Sequence, residues 1–268
     1  MCRVERTFDR HVGEAWIERV PGRGRERDEL AVEELLEICV DGAALAVTMR
    51  TPGEDEELAV GFLAGEGLIG GPADVAAVGL SDDLAANVVE VRTSAGLRRD
   101  PSGERSFYLS SSCGVCGKGA LEHVRQWAPP AAPSDPIHVD VVRRAPAEAR
   151  RAQEAFERTG GLHATALFDP YGSMLVLRED VGRHNAMDKA IGSQLLAGRF
   201  PLPGVVACLS GRASFELVQK AAIAGLTGIV AVGAPSSLAV ELARERGMLL
   251  CGFARGDSFN VYSGTVKA

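Results

Sequence analysis

Residues 205–253 read VVACLSGRASFELVQKAAIAGLTGIVAVGAPSSLAVELARERGMLLCGF, and this stretch decides the fold. Short apolar runs at 205–209, 229–232 and 248–253 predict strands, and the longer segments between them, 214–224 and 237–246, predict helices. Strands that alternate with covering helices pair in parallel, because each crossover returns the chain to the same end of the sheet. The expectation is an α/β protein whose C-terminal part, 137–268, is a three-layer α/β/α sandwich. Working back toward the N-terminus, 183–196 reads as a further helix. Before it, strands at 163–168 and 173–178 flank the turn Asp169-Pro170-Tyr171-Gly172. An arginine-rich helix is expected at 146–158, its charges forming a solvated face.

The proline-rich stretch 128–136 reads as a linker, and 35–127 as a smaller α+β subdomain. There, Asp41-Gly42 supplies the positive φ values of a tight hairpin between strands at 35–40 and 43–49. Thr51-Pro52-Gly53 leads into a helix whose first-turn acids, from Glu54 to Glu57, complement the positive end of its dipole. Strands are expected at 87–93 and 104–109. Residues 1–34, charged and broken by Pro21-Gly22-Arg23-Gly24, read as a flexible arm.

Composition narrows the function. Of 268 residues 46% are hydrophobic, which suffices for a core, and 29 basic against 36 acidic side chains give a net charge of −7. That balance argues against binding nucleic acid, which needs a basic surface to displace counterions. No run approaches the ~18 apolar residues of a membrane span, and no apolar signal core follows Met1, so the expectation is a cytoplasmic protein without membrane association. Cys39, Cys208 and Cys251 sit in apolar runs and read as small buried hydrophobes.

Cys113 and Cys116 form the one cysteine pattern, in Ser110-Ser111-Ser112-Cys113-Gly114-Val115-Cys116-Gly117-Lys118-Gly119. Small neighbours cannot pack a core, and Lys118 beside a helix expected from Gly119 favours thiolate over thiol. Three chemistries fit such a pair. A structural zinc site lacks two further ligands, since His123 alone is insufficient. A dithiol redox centre and a persulfide sulfur relay both remain open, because spacing does not separate them.

A second cluster, Glu179-Asp180-Val181-Gly182-Arg183-His184-Asn185, falls where a strand gives way to a helix, a position suited to anions. The turns Ser210-Gly211-Arg212-Ala213-Ser214 and Gly233-Ala234-Pro235-Ser236-Ser237 repeat the arrangement. Such turns gather at the carboxyl edge of an open sheet, so Arg183, His184, Ser210, Gly211 and Arg212 are candidates to line a phosphate-tolerant crevice. Phe253 to Tyr262 brings an arginine, an aspartate and further aromatics, suited to stacking a base. Plain helix capping and a surface loop before an edge strand are the competing readings of these segments.

Taken together, Thr51-Pro52-Gly53, Glu57 to Leu63, Glu66-Gly67-Leu68-Ile69, the two-cysteine segment, Glu179 to Lys189, Ser210-Gly211-Arg212 and the ending from Gly252 to Tyr262 resemble the FdhD family of formate dehydrogenase accessory sulfurtransferases. The resemblance runs from about residue 35 onward. It implies a cytidine-deaminase-like fold for the C-terminal sandwich. It also implies a sulfur carrier that accepts sulfur from a cysteine desulfurase and passes it to Mo-bis(molybdopterin guanine dinucleotide), the bound substrate, before that cofactor enters formate dehydrogenase. Carried over by position, Cys113 bears the persulfide, Cys116 assists, and Phe253, Ala254, Arg255, Gly256, Asp257 and Ser258 contact the guanine dinucleotide. A homodimer is expected from fold analogy. Deaminases hold zinc through His-x-Glu and Pro-Cys-x-x-Cys motifs; the turns here carry neither, so no zinc and no base deamination are expected. The contrasting expectation is a chaperone that binds the guanylyl cofactor without sulfur chemistry.

Overall fold

The computed structural model describes residues 5–6, 10–22, 24–81, 87–98, 107–108 and 135–268. Cys2, Cys113, Cys116 and residues 128–134 of the expected linker lie outside the described residues. In chain order come β1 (Glu5–Arg6), β2 (Val12–Glu18), β3 (Arg25–Ala31), β4 (Glu34–Val40), β5 (Ala43–Arg50), α1 (Asp55–Gly65), β6 (Val75–Leu80), β7 (Val88–Thr93) and β8 (Phe107–Tyr108). Then follow β9 (Ile137–His138), α2 (Val139–Arg151), α3 (Glu154–Thr159), β10 (His163–Phe168), β11 (Met174–Asp180), α4 (Arg183–Leu196), β12 (Val206–Leu209) and α5 (Phe215–Ile223). The chain finishes with β13 (Gly228–Ala231), α6 (Ser237–Arg246), β14 (Leu249–Arg255), β15 (Ser258–Ser263) and β16 (Val266–Lys267).

The expected sandwich is present as a six-stranded sheet of order β11-β10-β12-β13-β14-β15. Its centre, β12-β13-β14, is parallel, while β10, β11 and β15 run antiparallel to their neighbours, so the sheet is mixed. Alternation along β12 shows how both faces are covered. Val206 and Cys208 pack with Val142, Ala145 and Ala149 of α2 on one side. Ala207 and Leu209 pack with α4, α5 and α6 on the other. The C-terminal segment from Phe253 onward is a hairpin, with Gly256 and Asp257 turning the chain from β14 into edge strand β15.

The first half builds a five-stranded sheet of order β6-β7-β4-β5-β8. Asp41 and Gly42 adopt φ values of 50° and 81°, the left-handed pair that a two-residue hairpin demands. Leu36, Ile38, Val40, Val89 and Val91 of this sheet join one core with α1 and with the helices of the sandwich. Helices α1 and α4 cross at two glycines. A Cβ on Gly61 would lie 1.8 Å from the Asp188 carbonyl oxygen, and one on Gly192 1.8 Å from that of Glu57. Backbone therefore touches backbone, and the two halves share an interior. Among the described residues, no helix is long and apolar enough to cross a membrane.

Two local expectations are corrected and one strand is added. Within residues 1–34, read as a flexible arm, β2 and β3 pair in full register. That hairpin docks on α3, where Val12 is buried with Ala155 and Leu162 and Glu29 meets Arg158. Its charges are spent internally, on Arg27–Glu14 at 2.7 Å and on stacking of Arg25 and Arg27 against Trp16, so a charged stretch is ordered without a large core. The helix expected at 146–158 starts seven residues earlier, at Val139, and is interrupted after Arg151. Pro146 sits inside α2, buried among Val142, Ala145 and Ala149, because packing on the sheet outweighs the proline penalty. Finally, β6 was not anticipated; its small residues Ala76, Ala77 and Gly79 carry little strand propensity, and pairing with β7 supplies the order.

Candidate functional site

The carboxyl ends of β12, β13 and β14 and the start of antiparallel β10 lie along one edge. The turns there are stitched together beyond the strands. Gly233 N donates to Gly211 O at 2.9 Å, Phe253 N to Gly233 O at 3.1 Å, and Ser236 N to Ala213 O at 3.0 Å. Ser210 is tied in from the other side, its Oγ accepting from Ala164 N at 2.8 Å. The result is a continuous backbone floor with helix starts above it.

Three of the serines have structural duties. Ser214 accepts from Leu217 N to cap α5, Ser236 accepts from Ala239 N to cap α6, and Ser210 Oγ is held by β10. Helix α4 starts after Gly182 with no side-chain cap. His184 stands at the seam of α4 and α5, its Nε2 2.8 Å from Glu216 Oε2 and 3.5 Å from Ser214 Oγ. Its helical neighbours Met187 and Ile191 are buried, as the face shared by the three requires. Arg212 is exposed at the adjacent turn. His163, which the motifs did not single out, lies over Gly211, where an added Cβ would be 3.4 Å from its Nδ1. Burial, then the positive fields of Arg183 and His184, hold the His163 imidazole below its usual range.

At the far end of the edge, Phe253 is 47% exposed with φ of 53°, a left-handed conformation uncommon for an aromatic. Arg255, Gly256, Asp257 and Ser258 are exposed beside it. Ala254 points the other way, 1% exposed in the core beneath α2, so only its backbone is available to a ligand. The structure thus brings Arg183, His184, Ser210, Gly211 and Arg212 to one end of the edge and the Phe253 hairpin to the other.

Beneath the α4 start lies a buried polar lock that sequence reading only partly located. Asp180 and Lys189 are both fully buried, with Lys189 Nζ 2.9 Å from Asp180 Oδ2 and 2.8 Å from Thr51 O. Asp180 also accepts from Thr51 N at 3.1 Å, Gly182 N at 2.9 Å and Asn185 Nδ2 at 3.0 Å, while Asn185 Nδ2 reaches Met49 O at 2.7 Å. The Thr51-Pro52-Gly53 turn of the first half is thereby pinned to the α4 start. One turn further along α4, Lys220 of α5 sits 2.9 Å from both Asp188 Oδ1 and Glu66 Oε1. Burial opposes charge on Lys220, but the two carboxylates outweigh it and keep the ammonium protonated. The spacing Asp180–Asn185–Lys189 was visible in sequence; the partner, Thr51, was not.

The described cysteines are poor nucleophiles. Burial pushes the thiols of Cys208 and Cys251 up to about 12, and Cys39 is raised by burial and by Glu37 and Glu90.

A mixed α/β sheet with helix starts, cationic side chains and an exposed aromatic along one carboxyl edge places the protein in the α/β class, where that edge is the general location of ligand sites. Comparison then fixes the family. The chain belongs to the FdhD/NarQ family, whose model matches residues 31–268. It is 52% identical over 245 residues to the sulfur carrier protein FdhD of Mycolicibacterium paratuberculosis, covering 88% of this chain and 90% of that relative. With the protein of the same name from Anaeromyxobacter dehalogenans it shares 48% identity over 255 residues, covering 90% and 88%. Its fold is similar to a crystal structure described as a formate dehydrogenase accessory protein from Desulfotalea psychrophila, with a TM-score of 0.74 at 23% identity over 94% of this chain and 96% of that one.

Proposed function

We propose that the protein is a sulfur carrier serving formate dehydrogenase. The observation that carries this reading is the 52% identity, over most of both chains, to a relative named a sulfur carrier protein. In the proposed relay, a Cys113 thiolate takes the outer sulfur of a desulfurase persulfide: the donor S–S bond breaks, a new one forms on Cys113, and the donor thiolate leaves. Delivery to Mo-bis(molybdopterin guanine dinucleotide), the bound substrate, would break that second S–S bond: the outer sulfur leaves as a neutral atom, takes the two electrons that bring it to the sulfide level from the cofactor in its reduced state, and the Cys113 thiolate is restored, with Cys116 assisting. The raised thiols of Cys39, Cys208 and Cys251 support assigning the chemistry to the Cys113–Cys116 pair. The cofactor is bound as substrate, its guanine dinucleotide on the Phe253 hairpin and its body along the carboxyl edge. The relay is placed in the cytoplasm, where thiols stay reduced, and the sandwich is read as deaminase-like with its zinc ligands replaced.

Intact mass after incubation with cysteine and a cysteine desulfurase tests the reading. The expected gain is one sulfur, about 32 Da and reversible by thiol, and it should be absent from Cys113→Ala. Equal sulfur uptake by the variant, or activation of formate dehydrogenase by it at the full level, would overturn the assignment.

A further inference from the structure

A cavity of about 100 Å³ opens at the seam between the two sheets, lined by Glu33, Met49, His163, Val181, Gly182 and Arg183. It is far smaller than the roughly 300–1,000 Å³ that a whole nucleotide-sized ligand occupies. It therefore suits a single small group. Its chemistry is uneven. Arg183 Nε is buried without a hydrogen-bond partner among the described residues, and a buried donor left without an acceptor is destabilising.

The carboxylates nearby do not meet that need. Asp180 is committed to Thr51, Gly182, Asn185 and Lys189; Glu179 accepts from Ala155 N and Phe156 N; Glu216 pairs with His184. Glu33 stays at the exposed rim. We propose that this cavity is an oxoanion subsite that accepts one phosphate-like group between Arg183 and His163. Its oxygens would face the Arg183 guanidinium that lines the cavity, and charge-assisted bonds of that kind are the strong ones.

His163 makes the site proton-linked. It is faced by Arg183 and His184 from α4, by Asp180 from β11 and by Glu33 at the rim. Burial first, and then the positive fields of Arg183 and His184, disfavour the imidazolium; an arriving oxoanion offsets those fields, so binding takes up a proton and weakens as pH rises. The subsite also has a defined distance from the aromatic end of the edge. From β10 across β12 and β13 to β14 is three strand steps, roughly 14 Å at about 4.8 Å each. Two sources could furnish the group: free inorganic phosphate, or the diphosphate of a guanine nucleotide whose base lies on Phe253. The second source rests on the sulfur-carrier reading, whereas the subsite itself does not.

The test is an imidazole NMR titration of the full-length protein with inorganic phosphate, against chloride at equal ionic strength, with His163→Asn used to assign the resonance. Phosphate should move the His163 signal and raise its titration midpoint. Arg183→Gln, with unchanged circular dichroism, should weaken phosphate binding by about ten-fold or more, the loss of one charged hydrogen bond. If guanosine diphosphate competes with phosphate and loses affinity in the same variant while guanosine does neither, the nucleotide is the source. If it does not compete, free phosphate is the occupant. A His163 signal that answers phosphate no more than chloride, or an Arg183→Gln protein that binds phosphate as the unaltered chain does, would overturn the subsite. Neither readout involves Cys113, so that failure would leave the sulfur-carrier reading untouched.

Discussion

Replacing Lys189 by Met and, separately, Asp180 by Leu should destabilise the protein unequally, and the structure says in which order. Both side chains are fully buried, and breaking a buried pair by removing one partner typically costs about 3–5 kcal/mol. In Lys189→Met the orphaned Asp180 carboxylate keeps three donors, Thr51 N, Gly182 N and Asn185 Nδ2, so the loss should lie near the lower end, about 3 kcal/mol. In Asp180→Leu the ammonium of Lys189 is left with Thr51 O at 2.8 Å, Glu179 O at 3.5 Å and Glu54 at 3.8 Å. The three donors lose their acceptor as well, at about 1–3 kcal/mol each, which takes the total beyond about 5 kcal/mol. At about 2–4 °C per kcal/mol for a chain of this size, Lys189→Met should melt at least roughly 6 °C lower. Urea unfolding followed by circular dichroism measures both, and the double variant should cost less than the two losses added. A Lys189→Met protein within about 1 kcal/mol of the original, or one less stable than Asp180→Leu, would show that this lock does not work as described.

Two further outcomes follow from packing and charge. Gly192→Ala sets a methyl 1.8 Å from the Glu57 carbonyl oxygen, where ordinary contact is 3.4 Å or more, so α1 and α4 must part. A loss at or above the top of the usual 1–3 kcal/mol for overpacking is expected by urea unfolding, and a neutral variant would refute the backbone contact. For His163, the folded-state affinity for a proton lies below the ordinary value of 6.5. As pH falls below 6.5 the unfolded chain takes up this proton first, so stability declines until the folded-state value is passed. His163→Asn should flatten the pH dependence of the urea midpoint in that window; an unchanged slope would place the effect elsewhere.

The helices and strands of the C-terminal half were legible because their apolar periods are long and their turns carry Ser, Gly and Asp at the right offsets. Residues 183–196 and 237–246 were read with the bounds that α4 and α6 adopt. The early hairpin was equally clear, since Asp41-Gly42 has a strong local conformational preference. Failures came where order depends on partners distant in sequence. The β2–β3 hairpin is held by Arg158 and by burial of Val12 with Leu162, more than a hundred residues away, and no local pattern announces that. The same holds for the site. Arg183 and His184 stood out as polar residues at a helix start, but Glu216 and His163 became partners only when α5 and β10 were packed beside them.

The interior shared by the two halves bears on how the molecule can be dissected. Cutting the chain ahead of Ile137 would strip α1 from Met187, Ile191 and Leu195 and bare them to water, while Lys189 would keep Asp180 but lose Thr51 and Lys220 would keep Asp188 but lose Glu66. An isolated sandwich would then be a sticky fragment with a bared apolar face rather than a minimal binding module. Crystallographic or ligand studies of the carboxyl edge therefore need the intact polypeptide, and surface trimming is safest at exposed positions such as Tyr171 in the β10–β11 turn.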